Sequence, residues 1–269
     1  MDQPVAQQPG APRAPTHEPQ PLDDLDLVPS SHAVFLDFDG VIADIAPRPD
    51  AVSVPAFRER VVAAWREATA GALALVSGRE VGDIRNVFPG YEGAASGGHG
   101  AETEWPDGRR EERSADVDTV AHVAREMKAF AERHDALLFE PKRLGGVLHY
   151  RADPALERVA WDKVRELLAD RPDLEAQPAK MAVEVKPAGF SKGSVIRSFM
   201  EAAPFAGRTP FYAGDDTTDE AAFAVVNEMG GVSVKVGPGE TAARYRTAAP
   251  DTFFDWMGRR VALDQKGTR

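Results

Sequence analysis

The chain has 269 residues, enough for two ordinary domains or one large one. Apolar residues make up 43% and charged residues 28%, the balance of a globular protein with a sizeable core. Acidic residues outnumber basic ones 43 to 32, and the net charge of −11 argues against a surface that tracks nucleic acid or anionic lipid. The chain has no cysteine, which excludes disulfides, thiol nucleophiles, cysteine zinc sites and iron–sulfur clusters. No apolar run approaches the roughly 18 residues of a membrane span. The N-terminus carries no basic-then-apolar leader. A soluble, cytoplasmic protein that binds neither nucleic acid nor membrane is expected.

Residues 1–30 stand apart. Prolines at 4, 9, 12, 15, 19, 21 and 29 are mixed with Gln and Ala, and large apolar residues are few. Such a segment buries too little surface to offset the entropy of ordering it, so a disordered tail is predicted. Ala33-Val34-Phe35-Leu36 is a strand-forming apolar run that leads into Asp37-Phe38-Asp39-Gly40. Pro55 opens a helical stretch with Phe57, Val61 and Trp65 four residues apart. A second apolar run, Ala72 to Val76, ends in Ser77-Gly78-Arg79, and Val81, Ile84, Val87 and Phe88 then mark another amphipathic helix. This alternation predicts a doubly wound, Rossmann-like α/β domain with a parallel sheet.

The middle of the chain breaks the alternation. Residues 116–134 and 155–170 read as helices. Leu137 to Glu140 and Val147 to Arg151 read as strands joined by a turn containing Gly145-Gly146. Met181 to Lys186 alternates apolar and charged residues, as a half-buried strand does. An α+β insert with an antiparallel sheet is expected over residues 109–186. The parallel domain then takes residues 31–108 and 187–263, with helices at 193–203 and 218–228, a strand from Thr209 to Ala213 ending in Gly214-Asp215-Asp216, and another strand from Gly231 to Val236.

Ligands of open α/β sheets bind outside the carboxyl ends of the strands. Asp37 with Asp39, Ser77, and Asp215 with Asp219 all fall at such ends, so they can converge although they are far apart in sequence. Several carboxylates in one crevice need positive charge among them. A hard divalent cation with oxygen ligands provides it, and Mg²⁺ fits best because it keeps positions open for water and phosphate. Asp and Gly also favour solvated turns, the plainer explanation for any one cluster taken alone. Lys192, just before a helix, can offset the charge of a phosphoryl group, and Ser77 can donate to a phosphate oxygen.

These residues carry a resemblance. Asp37-Phe38-Asp39-Gly40, Ser77-Gly78-Arg79, Lys192-Gly193 and Gly214 through Glu220 resemble, in order, the four motifs of the haloacid dehalogenase superfamily, with a cap inserted between the second and third. More narrowly, His99-Gly100-Ala101-Glu102, Leu148-His149-Tyr150-Arg151 and Val183-Glu184-Val185-Lys186-Pro187 are similar to stretches of the trehalose-6-phosphate phosphatase family. The likeness covers about residues 33–260. One departure is Val41-Ile42, where that family usually has Thr and Leu.

The resemblance implies a haloacid dehalogenase core with an α+β cap, and a Mg²⁺-dependent phosphatase that releases trehalose and phosphate. It implies Asp37 as nucleophile and Asp39 as general acid and base, with Ser77 and Lys192 on the phosphoryl oxygens. Asp37, Asp39 through its carbonyl, and Asp215 would hold Mg²⁺, with Asp219 reaching it through water or from outside its ligand shell. The insert would be a lid over the crevice. Arg79, His99, Glu140, Lys142, His149, Arg151, Glu184 and Lys186 are the candidate substrate contacts. For the insert residues the alternative is the solvated face of an ordinary antiparallel sheet, and for His99 it is hinge structure. Other sugar phosphates, such as sucrose phosphate or mannosyl phosphoglycerate, and a non-catalytic phosphosugar-binding regulatory module are competing readings. A trehalose-6-phosphate synthase is the partner such an activity implies, and a monomer is expected.

Overall fold

The structure is a computed structural model that describes residues 18–25, 27–45, 52–112 and 116–263. In chain order its first elements are β1 (Gln20–Pro21), β2 (His32–Leu36), α1 (Ala56–Ala68), β3 (Leu73–Val76), α2 (Val81–Val87), β4 (Ala94–Gly97), β5 (Glu102–Glu104) and β6 (Arg110–Glu112). Then come α3 (Val117–Ala131), β7 (Leu138–Lys142), β8 (Gly145–His149), α4 (Glu157–Leu168), β9 (Leu174–Ala179) and β10 (Ala182–Pro187). The chain closes with α5 (Lys192–Met200), β11 (Thr209–Gly214), α6 (Glu220–Glu228), β12 (Val232–Val236), β13 (Tyr245–Thr247) and α7 (Pro250–Arg260). It divides into one unit of Met1–Gly100, Glu104–Arg109 and Ser191–Arg269, and a second of Ala101–Thr103 and Arg110–Phe190. Among the described residues no helix is long and apolar enough to cross a membrane.

In the first unit, parallel strands run in the order β1, β13, β12, β11, β2, β3, β4. Alternation along β2 loads both faces of this sheet. Val34 and Leu36 join a core with Val61, Val62 and Trp65 of α1, Ile84 of α2, and Phe253, Phe254 and Trp256 of α7. Ala33 and Phe35 join another with Val195, Ile196 and Phe199 of α5 and Phe223 and Val226 of α6. From β2 the chain builds outward to β3 and β4 on one side and later to β11, β12 and β13 on the other. This reversal makes the carboxyl end of β2 a switch point, where the flanking loops part and leave a crevice.

The second unit is a four-stranded antiparallel sheet in the order β7, β8, β10, β9. Leu148, Val183, Val185 and Leu174 of this sheet share a core with Val120, Val123 and Met127 of α3 and Val164 and Leu167 of α4.

The structure departs from the sequence expectations in three places. Residues 1–17 and Asp26 lie outside the described residues, but the described part of the expected tail is built into the first unit. Gln20 and Pro21 pair in parallel with Tyr245 and Arg246, and Leu22, Leu25 and Leu27 are buried in the core. The segment extends the sheet and covers apolar surface beside α7, which its proline-rich composition conceals. Second, Gly145 and Gly146 are strand residues, and the turn falls at Arg143-Leu144. Their lack of a side chain admits neighbours: a Cβ would lie 1.9 Å from the Val185 carbonyl at Gly145 and 2.5 Å from the Phe139 ring at Gly146. Third, the second unit keeps the chain through Phe190 rather than Lys186. Pro187 still pairs with Leu174, and the Ala188 N–H donates to the Asp173 carbonyl at 2.9 Å.

Candidate active site

Asp37 is the first residue beyond β2, and its backbone N–H donates to the Ala213 carbonyl at 2.9 Å, tying it to the end of β11. Its carboxylate accepts the Phe38 N–H at 2.7 Å and meets Lys192 Nζ at 2.8 Å. Lys192 opens α5, which Ser191 caps by accepting the Ser194 N–H at 3.1 Å. The same ammonium lies 2.6 Å from Asp219, so one buried cation bridges two carboxylates. Asp219 also accepts the Tyr212 hydroxyl at 2.5 Å and the Asp216 N–H at 2.9 Å.

Asp215 completes the cluster. Carboxylate oxygens of Asp37, Asp215 and Asp219 lie within 4.8 Å of one another. Burial, Asp219 and Asp216 push the Asp215 carboxyl up to about 7, against the pull of Lys192 and Lys235. Burial and Asp219 hold Asp37 well above its usual range, with Lys192 opposing. For Asp219 burial works in the same upward direction, but Lys192 and the Tyr212 hydroxyl outweigh it and keep the group ionised. Three carboxylates are gathered here against two buried lysines, Lys192 and Lys235. Such a cluster of oxygen donors fits a hard divalent cation. The backbone fits as well: Gly40 has φ +74°, and a Cβ there would stand 2.0 Å from Asp215 Oδ2.

Asp39 sits at the rim, and Arg79 Nε and Nη2 each donate to one of its oxygens at 2.7 Å. Between Asp39 and Ala43 the chain folds back on itself, with Gly40 N–H donating to the Ala43 carbonyl at 2.8 Å. Val41 and Ile42 are fully buried in the core beneath this turn, which accounts for apolar side chains at both positions. Ser77 is buried at the end of β3, where its Oγ accepts the Arg79 N–H at 3.1 Å. His99 has φ 56° and packs on Gly78, where a Cβ would come within 2.6 Å of its Nε2; its N–H donates to the Ser77 carbonyl at 3.0 Å. That packing braces the Ser77 loop.

In the second unit, strand pairing puts Glu140, Val147, Glu184 and Gln177 in one cross-strand row. Lys142, His149 and Lys186 share that face, opposite the one packed on the helices. His149 Nε2 lies 2.8 Å from Glu140 and Lys142 Nζ 2.6 Å from it. These partners hold the Glu140 carboxyl down at about 2, His149 first, against partial burial. Gln177 donates to Glu184 at 2.9 Å. Lys186 is buried, 2.5 Å from Glu175, and donates to the Phe190 carbonyl. Arg151 lies apart from this group, exposed on a turn and reaching the Lys180 carbonyl at 3.5 Å.

The structure thus brings Asp37, Lys192, Asp215 and Asp219 together, sets Asp39 against Arg79, and gathers five of the expected substrate residues on one sheet face. The sequence reading missed Tyr212, Lys235, Glu175 and Gln177. Lys235 is buried and donates to the Asp215 carbonyl. A lone charge inside the strand Val232-Ser233-Val234-Lys235-Val236 is the signal that could have found it.

A parallel doubly wound sheet with carboxylates at the ends of β2 and β11 and a lysine opening α5 is a haloacid dehalogenase-type hydrolase fold. A haloacid dehalogenase-like hydrolase from Bacteroides thetaiotaomicron superposes with a TM-score of 0.58, covering 84% of this chain and 98% of that one at 16% identity. The trehalose-6-phosphate phosphatase C-terminal domain of C. albicans superposes with a TM-score of 0.74, covering 87% of this chain and 93% of that one at 21% identity. These likenesses establish the fold. The trehalose-phosphatase family model matches residues 35–251. The Escherichia coli K12 trehalose-6-phosphate phosphatase is 35% identical, covering 92% of this chain and 93% of its own length. A probable trehalose-phosphate phosphatase of Sinorhizobium fredii is 36% identical over 77% of this chain and 78% of its own. The chain belongs to the trehalose-phosphatase family of enzymes.

Proposed function

We propose that this enzyme hydrolyses trehalose 6-phosphate to trehalose and inorganic phosphate, with an aspartyl-phosphate on Asp37 as intermediate and Mg²⁺ as its metal. The observation that carries the reading is the buried contact of Lys192 with Asp37 at 2.8 Å, beside Asp215 and Asp219. An isolated carboxylate repels a phosphate dianion, and a nucleophile already paired with an ammonium does so less. Asp37 and Asp215 would hold the cation through carboxylate oxygens and Asp39 through its carbonyl. Bound there, Mg²⁺ supplies the positive charge that lets the phosphoryl oxygens approach.

Asp37 attacks phosphorus as the bond to the sugar oxygen breaks, and Asp39, which must free one oxygen from Arg79 and take up a proton to act as the acid, gives the sugar oxygen its proton. Water then attacks the acyl phosphate and gives its proton to Asp39, which releases phosphate and restores Asp37. Ser77 serves as a donor to the phosphoryl group. Its Oγ accepts from the Arg79 N–H, which leaves the hydroxyl hydrogen to be donated. Arg79 orients Asp39. The polar row of the second unit, Glu140, Lys142, His149 and Glu184, supplies the donors and acceptors for sugar hydroxyls. Phosphate release from trehalose 6-phosphate, with MgCl₂ and after chelation, tests the reading, and a panel of sucrose and mannosyl phosphates tests its substrate. Release that is independent of Mg²⁺ or faster on another sugar phosphate would overturn the corresponding part.

A further inference from the structure

Asp219 accepts three hydrogen bonds. Its Oδ1 accepts both the Tyr212 hydroxyl at 2.5 Å and Lys192 Nζ at 2.6 Å, and its Oδ2 accepts the Asp216 N–H at 2.9 Å. The line Tyr212, Asp219, Lys192, Asp37 is therefore continuous, and its members are exposed by only 0%, 0%, 3% and 4%. The tyrosine is itself buried among neighbours. It stands in β11 with Phe35 of β2 on one side and Ser233 of β12 on the other, and its ring lies 5.6 Å from that of Phe223. Close beside Asp219, a Cβ at Gly214 would stand 2.3 Å from Asp219 Cγ, so the glycine leaves the room that this carboxylate occupies.

We propose that Tyr212 is a positioning residue for the nucleophile, acting through Asp219 and Lys192. The proposal rests on the phosphatase reading above. The hydroxyl does two things. It occupies a lone pair of Asp219 Oδ1, so that Asp219 holds Lys192 instead of turning to a cation. It also keeps the Lys192 ammonium seated between Asp219 and Asp37, which fixes the Asp37 oxygen that it touches. Without the hydroxyl, Lys192 is the one remaining donor on Oδ1. The carboxylate then gains freedom to rotate, and the ammonium shifts with it. In a site shielded from water, a hydrogen bond to a charged group is among the stronger ones, and a sub-ångström misplacement of a nucleophile is costly.

The test is Tyr212→Phe, which keeps the ring and removes only the hydroxyl. Turnover is measured on an aryl phosphate, which needs no sugar recognition, and on trehalose 6-phosphate. The expected result is a roughly tenfold lower kcat on both substrates with KM changed less than about twofold. Calorimetric titration of the substrate-free protein with MgCl₂ is the second readout. There the variant should bind Mg²⁺ as tightly as wild type or more tightly, because Asp219 is released toward the cation. A kcat within twofold of wild type overturns the proposal. So does a kcat loss matched by an equal loss of Mg²⁺ affinity, which would mean that the whole site has loosened. Wild-type turnover of the aryl phosphate but not of trehalose 6-phosphate would sink the substrate assignment and leave this inference standing.

Discussion

The guanidinium of Arg79 grips both carboxylate oxygens of Asp39 at 2.7 Å, joining the end of β3 to the loop after β2. The two-point contact fixes the plane of the carboxylate as well as its position, which one ammonium cannot do. Hydrogen bonding to Asp39 raises the Arg79 pKa, so the guanidinium stays charged. Arg79→Lys keeps the charge and loses the fork. It should lower kcat/KM for trehalose 6-phosphate by about tenfold with an unchanged melting temperature. Steady-state kinetics with a melting curve on the same preparation checks this, and full activity would show that the fork is dispensable.

Gly40 is in direct contact with Asp215. A methyl group there faces the carboxylate at 2.0 Å on a backbone with φ +74°. Gly40→Ala should therefore fold, lose activity by about two orders of magnitude, and lose the thermal stabilisation given by MgCl₂. Circular dichroism, turnover and melting with and without the salt distinguish these effects. An active variant would show that the loop yields without cost.

The pH dependence of metal binding follows from Asp215. Its folded pKa of about 7 lies above the ordinary value of 3.8, so the metal-free folded state holds a proton that the unfolded chain has released. Between those values the metal-free fold loses stability as pH rises. A cation needs the ionised carboxylate and must displace that proton below pH 7. The rise in melting temperature caused by MgCl₂ should thus be larger at pH 8 than at pH 6, with affinity about tenfold higher. Equal gains would show Asp215 ionised throughout.

Removal of residues 1–28 should destabilise the protein. Leu22, Leu25 and Leu27 are 4%, 8% and 4% exposed. Burying each contributes roughly 1.5–3 kcal/mol. A melting temperature lower by about 10 °C or more is expected. An unchanged value would mean that the segment detaches in solution.

Within the second unit, Glu184 and Lys186 should behave differently although they alternate on one strand. Glu184 sits in the polar row with Glu140 and Gln177, whereas Lys186 is buried against Glu175 and the Phe190 carbonyl. Glu184→Ala should cost at least roughly tenfold in kcat/KM on trehalose 6-phosphate and little on an aryl phosphate. Lys186→Ala should lower the melting temperature and both activities, because it leaves Glu175 and the loop before Ser191 without their tie. Equal losses on the two substrates for Glu184→Ala would remove it from sugar recognition.

The sequence by itself determined the alternation of strands and helices, the inserted antiparallel unit, and the polar groups that stand at the ends of β2, β3 and β11. Each is a local signal: an apolar run read at period two or four, then broken by Asp, Gly or Ser. Tertiary structure alone decided the rest, because it depends on which distant segments become neighbours. Gln20 and Pro21 look like tail until Tyr245 and Arg246 lie beside them. Gly145 and Gly146 look like a turn until Val185 and Phe139 crowd them. Asp219 looks like one more strand-end carboxylate until Tyr212, Lys192 and the Asp216 N–H lie against it. Hydrophobic patterning sets which face of an element is buried. The partner of a buried polar atom is set by sheet order and register, and no local pattern in the chain encodes those.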